Sequence, residues 1–187
     1  MEKTKNLLKR SLIYLFLALP IINATLQPAA LANHTNMNLG LSLYPSNASN
    51  LLGTTGYFLS FQMEQEGKWF RPTFGGQLEL NSATTTLVFG QMQGGFQIAP
   101  AESKFIRPFI GAQAVLGWAS YSVPLASYLG IIYGATISAG TEIRFSKKET
   151  AMALRILSQY RYTQGTIGGG ITGNDLSAVQ ISIGVIF

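Results

Sequence analysis

The sequence predicts an all-β chain, an eight-stranded antiparallel up-and-down β-barrel that crosses a membrane with its strands. Three observations carry that expectation. The last nine residues alternate: Val179, Ile181, Ile183, Val185 and Phe187 fall on one side of an extended strand, and Gln180, Ser182 and Gly184 fall on the other. Hydrophobic residues make up 47% of the chain and charged residues 11%, yet no apolar run reaches the length of a membrane-spanning helix. Hydrophobicity is instead spread over every second position, as a lipid-facing strand requires. Finally, every charge inside a predicted strand falls on that strand's polar side.

Residues 1–32 read as a cleaved signal peptide. Lys3, Lys5, Lys9 and Arg10 form a basic start, Leu12 to Ile22 an apolar core, and Ala30-Leu31-Ala32 a small-x-small cleavage site. Residues 33–187 then form one barrel domain. Without the leader, the excess of basic over acidic residues is small, so the sequence pI of about 9.6 describes the leader more than the domain. No nucleic-acid footprint is left.

Eight alternating segments follow, at about 36–44, 56–64, 70–80, 86–98, 106–119, 129–145, 152–163 and 176–187. Their apolar sides collect residues such as Leu39, Leu59, Leu78, Met92, Ile110, Ile137 and Ile156. Their polar sides collect Asn38, Gln62, Gln77, Gln93, Gln97, Gln113, Thr136, Gln159 and Gln180, with many glycines. Glu64, Arg71, Glu79, Arg107, Glu142, Arg144, Arg155 and Arg161 all join the polar side. A soluble ligand-binding barrel shows the reverse arrangement, with charges outside and an apolar cavity. Polar inside and apolar outside means lipid.

The connections alternate in character. Those after the second, fourth and sixth strands carry Glu66, Lys68, Glu102, Lys104, Lys147, Lys148 and Glu149, whereas the others hold only Asp175. The first set is expected to be periplasmic turns and the second set outer loops, including Gly168-Gly169-Gly170 as a flexible loop. A repeat is visible as well: Trp69-Phe70-Arg71-Pro72-Thr73-Phe74-Gly75-Gly76-Gln77 recurs as Phe105-Ile106-Arg107-Pro108-Phe109-Ile110-Gly111-Ala112-Gln113, so the third and fifth strands should start alike.

These features resemble the small eight-stranded outer-membrane barrels of bacteria, of the OmpA-transmembrane, OmpX and opacity-protein type. The resemblance rests on Arg107-Pro108-Phe109-Ile110-Gly111-Ala112, on Gly140-Thr141-Glu142-Ile143-Arg144-Phe145-Ser146, on Gln159-Tyr160-Arg161-Tyr162 and on the terminal Phe187. It implies a Gram-negative cell envelope and an outer-membrane location. Ile183, Val185 and Phe187 would be the C-terminal assembly signal read by the barrel-assembly machinery. Outer-membrane lipids would be the other partner, and the barrel would be a monomer. The chain ends at the barrel, so no periplasmic peptidoglycan-binding domain is expected.

No catalytic, cofactor-binding or metal-binding residues are expected. Cysteine is absent. The single histidine, His34, lies two residues past the cleavage site, on what reads as a frayed terminus. The inward charges are the one constellation with chemistry in it. All five arginines of the domain are inside and all four lysines are in turns, which fits a planar fork of donors in an enclosed carboxylate network. The expected role is structural or surface interaction, without enzymatic activity, the lumen plugged by Arg, Glu and Gln. The alternative is a narrow, porin-like channel with a weak preference for anions, with Gly40, Gly75, Gly95, Gly111, Gly117, Gly130, Gly134 and Gly140 leaving room inside.

Overall fold

Backbone groups of a strand in lipid can be satisfied only by neighbouring strands, so a chain with this alternation must close on itself. The structure is a computed structural model and describes residues 34–45, 54–65, 69–82, 86–99, 105–123, 125–145, 152–169 and 171–187. Eight long strands follow in order: β1 (His34–Leu43), β2 (Thr55–Glu64), β3 (Phe70–Ser82), β4 (Thr86–Ile98), β5 (Ile106–Val123), β6 (Ala126–Arg144), β7 (Ala153–Gly168) and β9 (Ala178–Ile186). A two-residue strand, β8 (Ile171–Thr172), folds back on the end of β7. Each long strand is antiparallel to its neighbours, and β9 closes the ring on β1, with Leu39 opposite Ile183. Phe187 extends that seam: it donates its N–H to Thr35 O at 2.9 Å and accepts from Thr35 N–H at 2.8 Å. The expected barrel is the observed one. The predicted signal peptide lies outside the described residues.

The alternation sorts side chains as expected. Leu39, Ile110, Ile131, Ile137 and Ile183 are exposed on the outer wall, where lipid would cover them. Arg71, Glu79, Glu142, Arg155 and Arg161 are at most 1% exposed, within the ring. The repeat is also real in structure. Arg71 and Arg107 both point inward at the second position of their strands, and Trp69 O and Phe105 O both accept a backbone bond from the end of the following hairpin arm, from Ala99 and Arg144.

Two departures lie at the end of the barrel away from His34 and Phe187, here called the far end. The stretch 120–128 is expected as a loop, but 120–123 and 126–128 are ladder. Ser120 pairs with Leu129, Tyr121 with Tyr128 and Val123 with Ala126, and Leu125 lies in the turn. The serines gave this stretch a loop-like composition, but Tyr121 is buried and its ring stacks on Tyr128 at 6.2 Å, which holds the hairpin together. At about 3.4 Å per residue β5 is about 60 Å long, well beyond what a tilted strand needs to cross the hydrocarbon layer.

The second departure is the glycine-rich loop. β7 runs on to Gly168. Gly168 and Gly169 then turn the chain with φ of 100° and 62°, a region side chains other than glycine rarely adopt. The chain returns through β8 and a 3-10 turn, Gly173–Leu176, into the mouth of the barrel. Gly170 lies outside the described residues.

Candidate functional site

An eight-stranded barrel has an interior just wide enough for side chains to fill. Here they fill it in layers. Nearest the end that holds His34 and Phe187, Glu64 (β2) and Arg71 (β3) sit on one wall, and Glu142 (β6) and Arg155 (β7) on the opposite wall. The four form a closed ring across the lumen. Arg71 Nη1 lies 3.4 Å from Glu64 Oε2 and 2.7 Å from Glu142 Oε1. Arg155 Nη1 lies 2.5 Å from Glu64 Oε1, and its Nη2 lies 2.7 Å from Glu142 Oε1. Two carboxylates and two guanidinium groups balance in charge, as burial this complete requires.

Neighbours extend the ring. Asn36 donates to Glu64 at 2.7 Å, and Arg155 donates to Gln97 at 3.3 Å while its guanidinium lies 4.6 Å from the centre of the Phe109 ring. Arg144, half-buried at the rim, reaches Glu142 at 3.8 Å. Arg107 is buried directly across the β5–β6 ladder from Glu142.

The middle layer is amide and hydroxyl. Gln93 and Gln159 both donate to Gln77, and Gln159 donates to Gln180. Gln113 donates to Thr73 and accepts from Thr136. Gln91 also faces inward, and among the described residues neither of its amide atoms has a hydrogen-bond partner.

A second charged strut crosses above it. Arg161 Nη1 (β7) meets Glu79 Oε2 (β3) at 2.5 Å. Glu79 also accepts from Tyr44 Oη, from Gln77 at 3.3 Å and from Gln180 at 3.1 Å. Toward the far mouth the inward side chains become apolar: Leu87, Phe89, Ala119, Tyr121, Ile132, Ile167, Ile171, Leu176 and Ala178 are buried together.

The eight inward charges therefore separate into two groups. Glu64, Arg71, Glu142 and Arg155, with Arg107 and Arg144 beside them, form the near group. Glu79 and Arg161 form the other. His34 is not on a frayed end, as the sequence reading had it: it is the first residue of β1, buried, and opposite Glu64 in the β1–β2 ladder. Ile183, Val185 and Phe187 lie exposed on the outer wall beside the β1–β9 seam.

The apolar layer escaped the sequence reading, which treated the inner face as polar throughout. Its signal is present in Leu87-Val88-Phe89 and Ile131-Ile132-Tyr133, where the alternation gives way to continuous apolar runs because the inward side chains join an apolar cluster while the outward ones face lipid. The inward glycines do not leave open space either. Phe58 packs over Gly40 and Phe109 over Gly140, and a side chain on Gly75 or Gly95 would run into the carbonyl of the neighbouring strand. Among the described residues no group of three or more His, Asp or Glu is placed to hold a metal ion.

Neisserial surface protein A superposes with a TM-score of 0.65 at 14% identity, over 82% of this chain and 94% of that one. This chain has the fold of the small eight-stranded OmpA, OmpX and opacity-protein barrels. Ail, the attachment invasion locus protein of Yersinia pestis, gives a TM-score of 0.52 at 8% identity, over 82% of this chain and 98% of Ail. Ail in complex with the heparin analogue sucrose octasulfate gives 0.50 at 11% identity, over the same shares. No family model and no curated protein sequence matches the chain.

Proposed function

We propose that this chain is an integral protein of a bacterial outer membrane, non-enzymatic, with a structural or surface-interaction role and a closed lumen. The observation that carries the reading is the Glu64–Arg71–Glu142–Arg155 ring. It joins opposite walls, and all four side chains are at most 1% exposed. A continuous water-filled bore would leave exposed surface on the charges that line it. The outward apolar belt supports residence in lipid. Neisserial surface protein A is by its name a surface protein and Ail an attachment protein, which supports a surface role on the same fold.

In this reading residues 1–32 are removed on export, the far end faces outside, the protein works as a monomer, and the strand ending in Phe187 is what the assembly machinery binds. His34 lies at the near end, opposite Glu64, itself tied to two arginines. That position supports the absence of catalysis at the outer face.

The alternative is a narrow anion-preferring channel, favoured by five inward arginines against three inward glutamates. Swelling of protein-loaded liposomes in a small neutral sugar separates the two. The plugged reading expects the rate of protein-free liposomes. Uptake that rises with the amount of folded protein supports the channel.

A further inference from the structure

The far mouth of the barrel is closed by the connection between β7 and β9, and that connection is tied down from inside the lumen. Arg161 is the tie. Its Nε and Nη2 both donate to the carbonyl of Leu176, at 3.1 and 2.7 Å, while Nη1 holds Glu79. Its guanidinium also lies 4.4 Å from the centre of the Phe89 ring. One planar group thus faces the strut on one side and the connection on the other, which only the arginine fork allows.

Thr163, two residues on and on the same face, adds two more ties. Its hydroxyl donates to Gly173 O at 2.6 Å, and its backbone N–H donates to Ser177 Oγ at 3.1 Å. Ile171 and Leu176 seat their side chains in the apolar layer beneath. Gly173 lies so close to β7 that a side chain there would collide with the backbone of Gln164. On one flank the left-handed Gly168 and Gly169 provide a bend, and on the other β9 begins at Ala178.

We propose that residues 171–177 are a lid over the far mouth, and that Arg161, positioned by Glu79, holds it shut. Glu79 does not touch the lid. It acts through Arg161. Removing its charge leaves a buried guanidinium without its carboxylate, and the fork turns away from Leu176 O to find another partner. A lysine at 161 reaches Glu79 but has no second pair of donors for the carbonyl. When the lid lifts, Ile171 and Leu176 leave the mouth and the apolar layer opens to the outside. This holds whether or not the barrel conducts, because the near ring is untouched.

The chain contains no cysteine, so one introduced thiol reports without background. Ser177→Cys places it at the buried last residue of the lid, replacing the hydroxyl tie to Thr163 but leaving those of Arg161 in place, and Thr54→Cys places a reference thiol at an exposed position of the same end. Labelling by a charged maleimide is followed in lipid nanodiscs, using only protein whose gel mobility shifts on boiling, the sign of a closed barrel. Ser177→Cys should react at least about tenfold more slowly than Thr54→Cys.

Adding Arg161→Lys or Glu79→Gln should speed Ser177→Cys by about tenfold and leave Thr54→Cys unchanged, the size expected from losing charge-assisted hydrogen bonds. Gly173→Ala, which pries the lid without touching a charge, should speed it as well and serves if the charge variants fail to fold. Equal rates for the two thiols at the outset would overturn the proposal. So would a Ser177→Cys rate that Glu79→Gln leaves unchanged in folded barrels, or, where neither charge variant folds, one that Gly173→Ala leaves unchanged.

Discussion

Glu142 and Arg155 stand directly opposite each other in the β6–β7 ladder, and their side chains meet at 2.7 Å with neither exposed. The same carboxylate also serves Arg71 at 2.7 Å and Arg144 at 3.8 Å. One acid therefore compensates three guanidinium groups. Coulomb attraction between buried charges is offset by the cost of removing them from water, so the ring adds little net stability while it is complete. Its energetic weight appears when one member is removed.

Glu142→Ala should accordingly destabilise the barrel by about 3–5 kcal/mol, because it leaves positive charge buried without its partner. Urea unfolding in lipid vesicles, followed by gel mobility, measures this. Adding Arg71→Ala should cost less than the sum of the single changes, with a coupling of about 0.5–3 kcal/mol. Strictly additive costs would mean the ring is not an energetic unit.

A second expectation concerns which surface meets lipid. Ile137 is exposed on the outer wall in the middle of β6, whereas Leu125 is 94% exposed at the tip of the β5–β6 hairpin. Ile137→Arg should cost about 2–4 kcal/mol, as for a charge near the bilayer midplane. Leu125→Arg should change stability by less than about 0.5 kcal/mol, as for a solvated surface site. Equal penalties would place the hairpin tip in the bilayer and shift the whole belt.

The third follows from the far-end connections, 44–54, 83–85, 124–125 and 169–177, which contain no lysine or arginine and only Asp175 among acids. Sulfated and phosphorylated ligands are held by such basic groups. Binding of lipopolysaccharide or a sulfated sugar to the protein in nanodiscs should therefore be weak and insensitive to salt. Tight binding abolished by moderate salt would contradict the expectation.

How much of this was legible in the sequence depends on which face is considered. The outward face of a membrane strand has one requirement, apolarity, so Leu39, Ile110 and Ile183 announced it directly. The inward charges were legible as a set because each violates that requirement at a fixed period. Their pairing was not. Whether Arg155 finds Glu142 or Glu79 depends on register and on which strands oppose each other once the ring closes. The lid was hidden for a different reason. Its sequence, Ile171-Thr172-Gly173-Asn174-Asp175-Leu176, has the composition of an outer loop. Only the distant Arg161 and the unexpected inward Leu87 and Phe89 give Leu176 a place to go. His34 was misread because its neighbourhood in sequence is a processing site, whereas its neighbourhood in space is Glu64.

Electrical recording from single proteins in planar bilayers tests the central claim, a lumen closed by its own side chains, most directly. The charged ring is at most 1% exposed and the glutamines beside it are nearly buried, so under the proposed plug the unmodified protein should be near silent. Glu142→Ala should raise conductance, because Arg71 and Arg155 lose the group that fixes them across the bore. Large, stable conductance in the unmodified protein, above all one selective for cations, would contradict both the closed lumen and the charge arrangement beneath it.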